Sequence, residues 1–66
     1  MKIVAEIEAP ISRRLVIERD EKVGYYLYVF EGGRCVFDYL QDTLDLALEK
    51  ALREFQIPKD SWKSVE

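Results

Sequence analysis

Few side chains in this sequence are suited to chemistry, and Cys35 is the first to consider. It is the single cysteine, and the chain contains no histidine. A cysteine nucleophile needs a histidine, a helix N-terminus or cationic neighbours to lower its pKa. Cys35 instead lies in a predicted strand beside Phe30. We interpret it as a buried structural thiol and predict no catalytic residue. An enzyme would have to work with carboxylates, Tyr and Arg alone.

An acidic group lies where a predicted strand passes into a predicted helix: Asp38, Asp42, Asp45 and Glu49. Carboxylate oxygens are ligands for hard cations. The group lacks the alternate spacing and central glycine of a calcium loop, and Asp42 and Asp45 suit a helix N-terminus. We therefore expect no metal site and no cofactor. Asp38 has no such explanation, because it is predicted to face Leu27 among aliphatic residues.

A modest basic cluster surrounds the second predicted strand and consists of Arg13, Arg14, Arg19 and Lys22. The three arginines are a candidate contact for a phosphate or an acidic partner. Pairing across the strands with Glu6, Glu8 or Glu18 is the alternative. The net charge of -3 and the pI of about 4.9 argue against a nucleic-acid partner.

The segment from Gly24 to Phe30 is rich in tyrosine and partly resembles the aromatic strand of an RNA-recognition motif. Val23 stands where that motif has a basic residue, and Tyr26 stands where it has a small one. Only one helix is predicted, whereas that fold has two. We therefore favour packing in a core or an interface over stacking on bases.

Four β-like segments and one helix predict an α+β fold. Ile3, Ala5 and Ile7 alternate with polar residues, and the break at Ala9-Pro10 precedes a second strand at Leu15 to Glu18. Gly32-Gly33 suits a type I′ turn between the third and fourth strands. The prediction is a three- or four-stranded antiparallel meander with one C-terminal helix packed on one face. Residues 1–66 form a single domain, and 57–66 are a short tail.

One apolar stripe at helical spacing identifies the helix: Leu44, Ala47, Leu48, Ala51, Leu52 and Phe55. Asp42 or Thr43 is expected to cap it, and Pro58 to end it near Gln56. We predict that Leu44, Leu48, Leu52 and Phe55 form the core with the sheet. Trp62 is expected to fold back onto the helix end.

A two-residue turn at Gly32-Gly33 places Tyr28 opposite Phe37 and Leu27 opposite Asp38. Residues opposite one another share a face of the sheet. We expect the helix to cover the aliphatic face of Leu27, Val29 and Val36. The other face is the candidate interface for a second copy or another protein, and its residues are Tyr26, Tyr28, Phe30, Phe37 and Tyr39.

A chain of 66 residues forms a small core, typically worth about 3–5 kcal/mol, and often needs a further source of stability. One cysteine excludes an internal disulfide, so self-association is the source we expect. No apolar stretch reaches the roughly 18 residues of a membrane span. Acidic residues near the N-terminus are unlike a secretory signal, which predicts a cytoplasmic protein.

Short motifs relate the chain to known proteins. The segments Gly24-Tyr25-Tyr26, Gly33-Arg34-Cys35-Val36 and Asp42-Thr43-Leu44, with Ala47-Leu48 and Ala51, resemble the N-terminal domain of HicB-type antitoxins. In place of that family's Pro-Gly loop stands Gly32-Gly33. Phe55-Gln56-Ile57-Pro58 with Trp62 is similar to the tail of a set of small uncharacterised bacterial proteins. The resemblance implies a partial double-stranded-RNA-binding-like sheet and an antitoxin-like or regulatory role.

Together these features predict a non-enzymatic protein-interaction module that forms a homodimer. A nucleic-acid-binding module using the aromatic sheet face is one alternative. A small structural subunit of a heteromeric complex is another.

Overall fold

The computed structural model describes residues 1–8 and 11–65; the expected break at Ala9-Pro10 lies outside them. The strands are β1 (Lys2–Ile7), β2 (Arg13–Asp20), β3 (Gly24–Glu31), β4 (Arg34–Gln41) and β5 (Lys63–Ser64). The helix α1 spans Leu44–Phe55, and a short 3₁₀ helix spans Lys59–Ser61.

The strands form one antiparallel sheet in the order β4-β3-β2-β1-β5, and α1 lies over β3 and β4 on one face. The predicted α+β fold is confirmed. The sheet has one strand more than expected, because β5 returns to β1 and pairs Ile3 with Ser64 and Val4 with Lys63. Two residues are too short to show an alternating pattern, so the sequence reads as a tail there.

The turns follow from their residue types. Gly32 and Gly33 have φ values of 59° and 80°, which confirms the predicted turn with positive φ at both positions. Between β2 and β3, the Asp20 carboxylate accepts the N–H groups of Lys22 at 2.8 Å and Val23 at 3.2 Å. This side-chain acceptor replaces the backbone acceptors that a tight turn leaves missing.

The pairing of β3 with β4 differs from the expected register. Phe30 lies opposite Cys35 as predicted, but Val29 lies opposite Phe37, so Val36 is an extra residue in β4. Such a β-bulge places two residues of one strand against one of the other. Every side chain of β4 beyond Val36 therefore points to the face opposite to the one predicted.

The face beneath α1, called here the helix face, contains the hydrophobic core. Leu15, Ile17, Leu27 and Val29 are fully buried there with Ala47 and Ala51 of the helix. Leu44, Leu48 and Phe55 are partly buried against this cluster, as predicted, but Leu52 is 40% exposed and lies outside it. The two alanines occupy the centre of the helix contact, so the leucine at position 52 is turned towards solvent.

Both ends of α1 are capped by the residues next to it in the chain. The Thr43 hydroxyl accepts the N–H of Leu46 at 3.2 Å, so Thr43 and not Asp42 is the N-cap. Gln56 takes a left-handed conformation immediately after the helix, and Ile57, 3% exposed, continues into the core. Trp62 packs against the same core, which confirms that the segment after α1 folds back.

Candidate docking face

The face opposite α1 carries no helix or loop from the described residues and is called here the open face. The strand pairings arrange its side chains in three rows that cross the sheet. The central row is Lys63, Val4, Val16, Tyr28 and Asp38. One flanking row is Lys2, Glu18, Tyr26 and Leu40, and the other is Glu6, Arg14, Phe30 and Cys35.

Apolar groups occupy the middle of the open face. Val4 and Val16 are 7% and 6% exposed, whereas Leu40 on β4 is 48% exposed. The rings of Tyr26 and Tyr28 are stacked with centroids 5.6 Å apart, and Phe30 lies 6.5 Å from Tyr28 at a 46° tilt. Antiparallel sheets that face water on one side usually carry polar residues there. This face is instead apolar at its centre.

The five candidate interface residues do not share one face. Tyr26, Tyr28 and Phe30 lie on the open face, but Phe37 and Tyr39 lie on the helix face, 6.1 and 6.4 Å from the ring of Phe55. The prediction for Phe37 and Tyr39 was wrong because the bulge at Val36 reverses their direction. The prediction that α1 covers Leu27 and Val29 is confirmed, but it was wrong for Val36, which is the bulged residue and is 39% exposed.

Reversing β4 also changes two other residues. Asp38 lies opposite Tyr28 and is exposed, so it does not face Leu27 among aliphatic side chains as predicted. Cys35 is beside Phe30 as expected, but it is exposed, and its thiol donates to the carbonyl of Phe37 at 3.4 Å across the bulge. The prediction of a buried thiol was wrong, because β4 is an edge strand.

Burial raises the pKa of the Tyr28 phenol above its usual value of 10.0. The negative charge of Glu18 adds to the effect, and Tyr26 and Asp38 act in the same direction. Each cause disfavours the phenolate. At neutral pH Tyr28 therefore presents an uncharged hydroxyl at the centre of the open face, a group that tolerates both apolar and polar contacts.

A shallow groove of about 320 Å³ runs along the open face, and its walls include Tyr28, Phe30 and Val16. Lys2, Glu18 and Arg14 close its two ends, so the groove carries charges of both signs. A second hollow of about 400 Å³ lies beyond Phe30, between Arg14 and the Gly32-Gly33 turn.

The three candidate arginines do not converge. Arg13 lies on the helix face, where it forms a 2.5 Å ion pair with Glu31 and its guanidinium carbon is 5.6 Å from the centre of the Phe55 ring. Arg14 points to the open face, since adjacent residues of a strand face opposite ways. Arg19 is exposed near the far end of β2. An anion site built from all three is therefore not formed.

The acidic group at the start of α1 is dispersed as well. Asp45 lies in the first helical turn, and Glu49 lies 3.9 Å from Arg53 on the exposed side. In the described part of the chain, no three His, Cys, Asp or Glu side chains converge into a possible metal site.

Sequence reasoning missed Val4 and Val16 on the open face. The signal was present, because Ile3-Val4-Ala5 and Leu15-Val16-Ile17 are apolar at consecutive positions. Consecutive apolar residues are typical of strands that are covered on both faces.

No family model, curated protein or solved structure matches this chain. Over residues 1–8 and 11–65, no helix has both the length and the apolar character needed to cross a membrane.

Proposed function

We propose that this chain is a non-enzymatic protein-interaction module that associates with a second copy of itself through the open face. The observation that carries the proposal is the apolar centre of that face, where the rings of Tyr26, Tyr28 and Phe30 follow one another along β3 and stay partly exposed beside Leu40. Contiguous apolar patches on a protein surface mark interaction sites. Tyrosine is enriched in such sites because its ring buries apolar area and its hydroxyl tolerates water.

Size supports the same proposal. The helix face of the sheet has a core beneath α1. Covering the open face with a second copy would bury the apolar side chains on that side as well. A standard interface buries about 800 Å² on each partner, roughly one sixth of the 4688 Å² accessible surface of this chain. Two sheets packed face to face at about 10 Å form a common and stable architecture.

Charge favours a protein over a nucleic acid as the partner. The open face carries three basic side chains, Lys2, Arg14 and Lys63, and three acidic ones, Glu6, Glu18 and Asp38. A surface that binds nucleic acid through stacked aromatic rings also needs an excess of positive charge along the strand. The balanced charge here is typical of protein interfaces.

The experiment compares Tyr28→Asp with Leu46→Asp by sedimentation at high micromolar concentration. Tyr28 lies at the centre of the open face, whereas Leu46 is 45% exposed in the first turn of α1, remote from that face. The expected result is a dimeric wild type, a dimeric Leu46→Asp variant and a folded, monomeric Tyr28→Asp variant. Circular dichroism establishes that both variants are folded.

Two results would contradict the proposal. A monomeric wild type at high micromolar concentration excludes the homodimer. A Tyr28→Asp variant that remains dimeric moves the interface elsewhere, and the unpaired edge of β4 is then the surface to examine. Salt-dependent binding of single-stranded RNA by the wild type would instead support the nucleic-acid alternative.

An antitoxin-like or regulatory role is the biological setting we propose for this module. Its support is the resemblance of the Gly24, Gly33 to Val36 and Asp42 to Leu44 motifs to HicB-type antitoxins. A small toxin-like reading frame beside the gene, with a product that co-purifies with this chain, is the expected observation. A heteromer of another kind that survives purification would favour the structural-subunit alternative.

A further inference from the structure

The charged residues of the open face follow a definite order around its central row. On β1, Lys2 lies on one side of that row and Glu6 on the other. On β2 the signs are reversed, with Glu18 beside Lys2 and Arg14 beside Glu6. Each of these strands therefore has one acidic and one basic side chain, two residues to either side of the central row.

The third strand repeats this arrangement with aromatic rings. Tyr26 lies on one side of the central row and Phe30 on the other, with Tyr28 between them. A rotation of 180° about the central row therefore brings acidic side chains onto basic ones on β1 and β2. On β3 it brings one aromatic ring onto another. Under that rotation the charges and the rings of the face are both complementary to themselves.

We infer that the second copy docks with its two-fold axis along the central row, perpendicular to the strands. This inference rests on the proposed function and adds the geometry of the dimer. A two-fold interface brings residue i of one copy to residue j of the other, and j to i. Lys2 then meets Glu6 of the second copy, and Glu18 meets Arg14. Tyr26 meets Phe30, while Val16 and Tyr28 meet their own counterparts.

An axis parallel to the strands gives a worse match. An axis along β2 would place Glu18 opposite Glu18 and Arg14 opposite Arg14. An axis between β2 and β3 would place Glu18 over Tyr26 and Arg14 over Phe30, which leaves charges buried against rings without a partner. Unpaired charges are costly to remove from water. An axis between β1 and β2 would pair Lys2 with Glu18 and Glu6 with Arg14, but it would place Tyr28 over Lys63 and separate the aromatic rings of the two copies. The perpendicular axis gives four ion pairs across the interface and also brings ring onto ring.

The four charged side chains are available for this role. Among the described residues, no ion pair within 4 Å joins Lys2 to Glu18 or Arg14 to Glu6, although they are cross-strand neighbours. Glu6, Arg14 and Glu18 are exposed. Two charged residues of the central row, Lys63 and Asp38, oppose their own counterparts under this axis. Both are exposed and lie on the edge strands β5 and β4, where water reaches the like charges.

The decisive experiment uses two variants, Glu18→Arg and Arg14→Glu, measured separately and mixed. In each variant alone, like charges face one another twice across the axis, so its dimer should dissociate at roughly tenfold or higher concentration than the wild type. In the 1:1 mixture, Arg at position 18 faces Glu at position 14 and the native pair is retained, so a heterodimer should form. A single chain carrying both substitutions should regain the homodimer. Glu54→Arg, on the exposed side of α1, is the control and should dimerise as the wild type does.

The outcomes separate this inference from the proposed function. Variants that stay monomeric when mixed, with a dimeric wild type and a monomeric Tyr28→Asp, would overturn the axis and leave the open-face dimer standing. Single variants that dimerise as tightly as the wild type would also overturn the axis. A monomeric wild type would overturn the proposed function itself. Recovery of the dimer only in the mixture, and in the chain with both substitutions, supports the axis.

Discussion

The backbone N–H of Ile57 donates a 3.2 Å hydrogen bond to the carbonyl of Ala51, and the φ of 59° at Gln56 between them turns the chain so that this bond forms. Among the described residues Gln56 is the only non-glycine residue with a positive φ. This geometry ends α1 and directs Ile57 into the core, where it is 3% exposed. Glycine is the usual residue at such a position, because it has no Cβ to oppose the left-handed conformation.

Replacing Gln56 with Gly should therefore stabilise the protein by about 1 kcal/mol. For a domain of this size, that corresponds to an increase of roughly 4–8 °C in the thermal midpoint. Gln56→Ala is the matched control, since it removes the side chain and keeps the Cβ, and its midpoint should stay near that of the wild type. A Gln56→Gly variant that melts below the wild type would show that the side chain itself holds the cap.

At Gly24, in contrast to Gln56, only glycine fits, because the structure has no room for a Cβ. A Cβ at this position would lie 2.4 Å from the carbonyl oxygen of Gln41, and φ is 124°. Gly24→Ala should reduce the free energy of unfolding by about 2 kcal/mol or more, because the start of β3 must separate from β4. Gly32→Asn is the control. It lies in a turn with no heavy atom within 4 Å of the added Cβ, and Asn is well suited there, so little change is expected in urea denaturation.

The orientation of α1 on the sheet predicts that truncating two of its leucines lowers the free energy of unfolding by different amounts. Leu48→Ala should lower the free energy of unfolding by about 2 kcal/mol, because Leu48 is packed against the core. Leu52→Ala should lower it by less than about 1 kcal/mol, since Leu52 is 40% exposed. Equal losses in chemical denaturation would contradict the observed orientation of the helix.

The bulge in β4 can be tested by deletion. Without Val36, Phe30 still pairs with Cys35 and Val29 with Phe37, so the faces of β4 are unchanged. We expect this deletion to leave a folded protein in which the rings of Phe37 and Phe55 remain in contact, as measured by nuclear Overhauser effects. Deleting Asp38 is the contrasting change. It moves Tyr39 from the helix face to the open face and should unfold the protein.

Tyr28 predicts a loss of stability at alkaline pH. Its pKa is raised in the folded state, first by burial and then by Glu18, Tyr26 and Asp38. The stabilisation is complete below the unfolded-state pKa of about 10 and is lost as the pH rises through the folded-state pKa. Thermal midpoints measured across this range should fall more steeply for the wild type than for Tyr28→Phe. Parallel curves for the two proteins would exclude the effect.

Local patterns predicted the strands, the glycine turn and the helix, and hence the α+β fold. Each depends on residues close together in the chain, as for the alternation of Ile3, Ala5 and Ile7 or the stripe that includes Ala47 and Ala51. Which side chains of β4 lie on the open face depended on one further residue, the bulged Val36. Cross-strand register has a period of two, so a single bulged residue moved Phe37 and Tyr39 to the helix and Asp38 and Leu40 to the open face.

The strand β5 and the order of the charges on the open face could not be predicted from the sequence, for a different reason. Pairing of Lys63 and Ser64 with β1 joins residues at distant positions in the chain, and no local pattern encodes that contact. The opposition of Lys2 to Glu6 and of Glu18 to Arg14 becomes meaningful only when β1 and β2 lie side by side in a known register.

Trp62 is the sole tryptophan, and its ring packs against the core immediately before β5 joins β1. Its indole N–H is buried and has no hydrogen-bond acceptor among the described residues. The emission of this one tryptophan therefore reports the packing of the segment after α1 against the core, next to the point where the last strand joins the first. Stopped-flow fluorescence can follow that packing in the unlabelled protein, while far-ultraviolet circular dichroism records the formation of the helix and the sheet together.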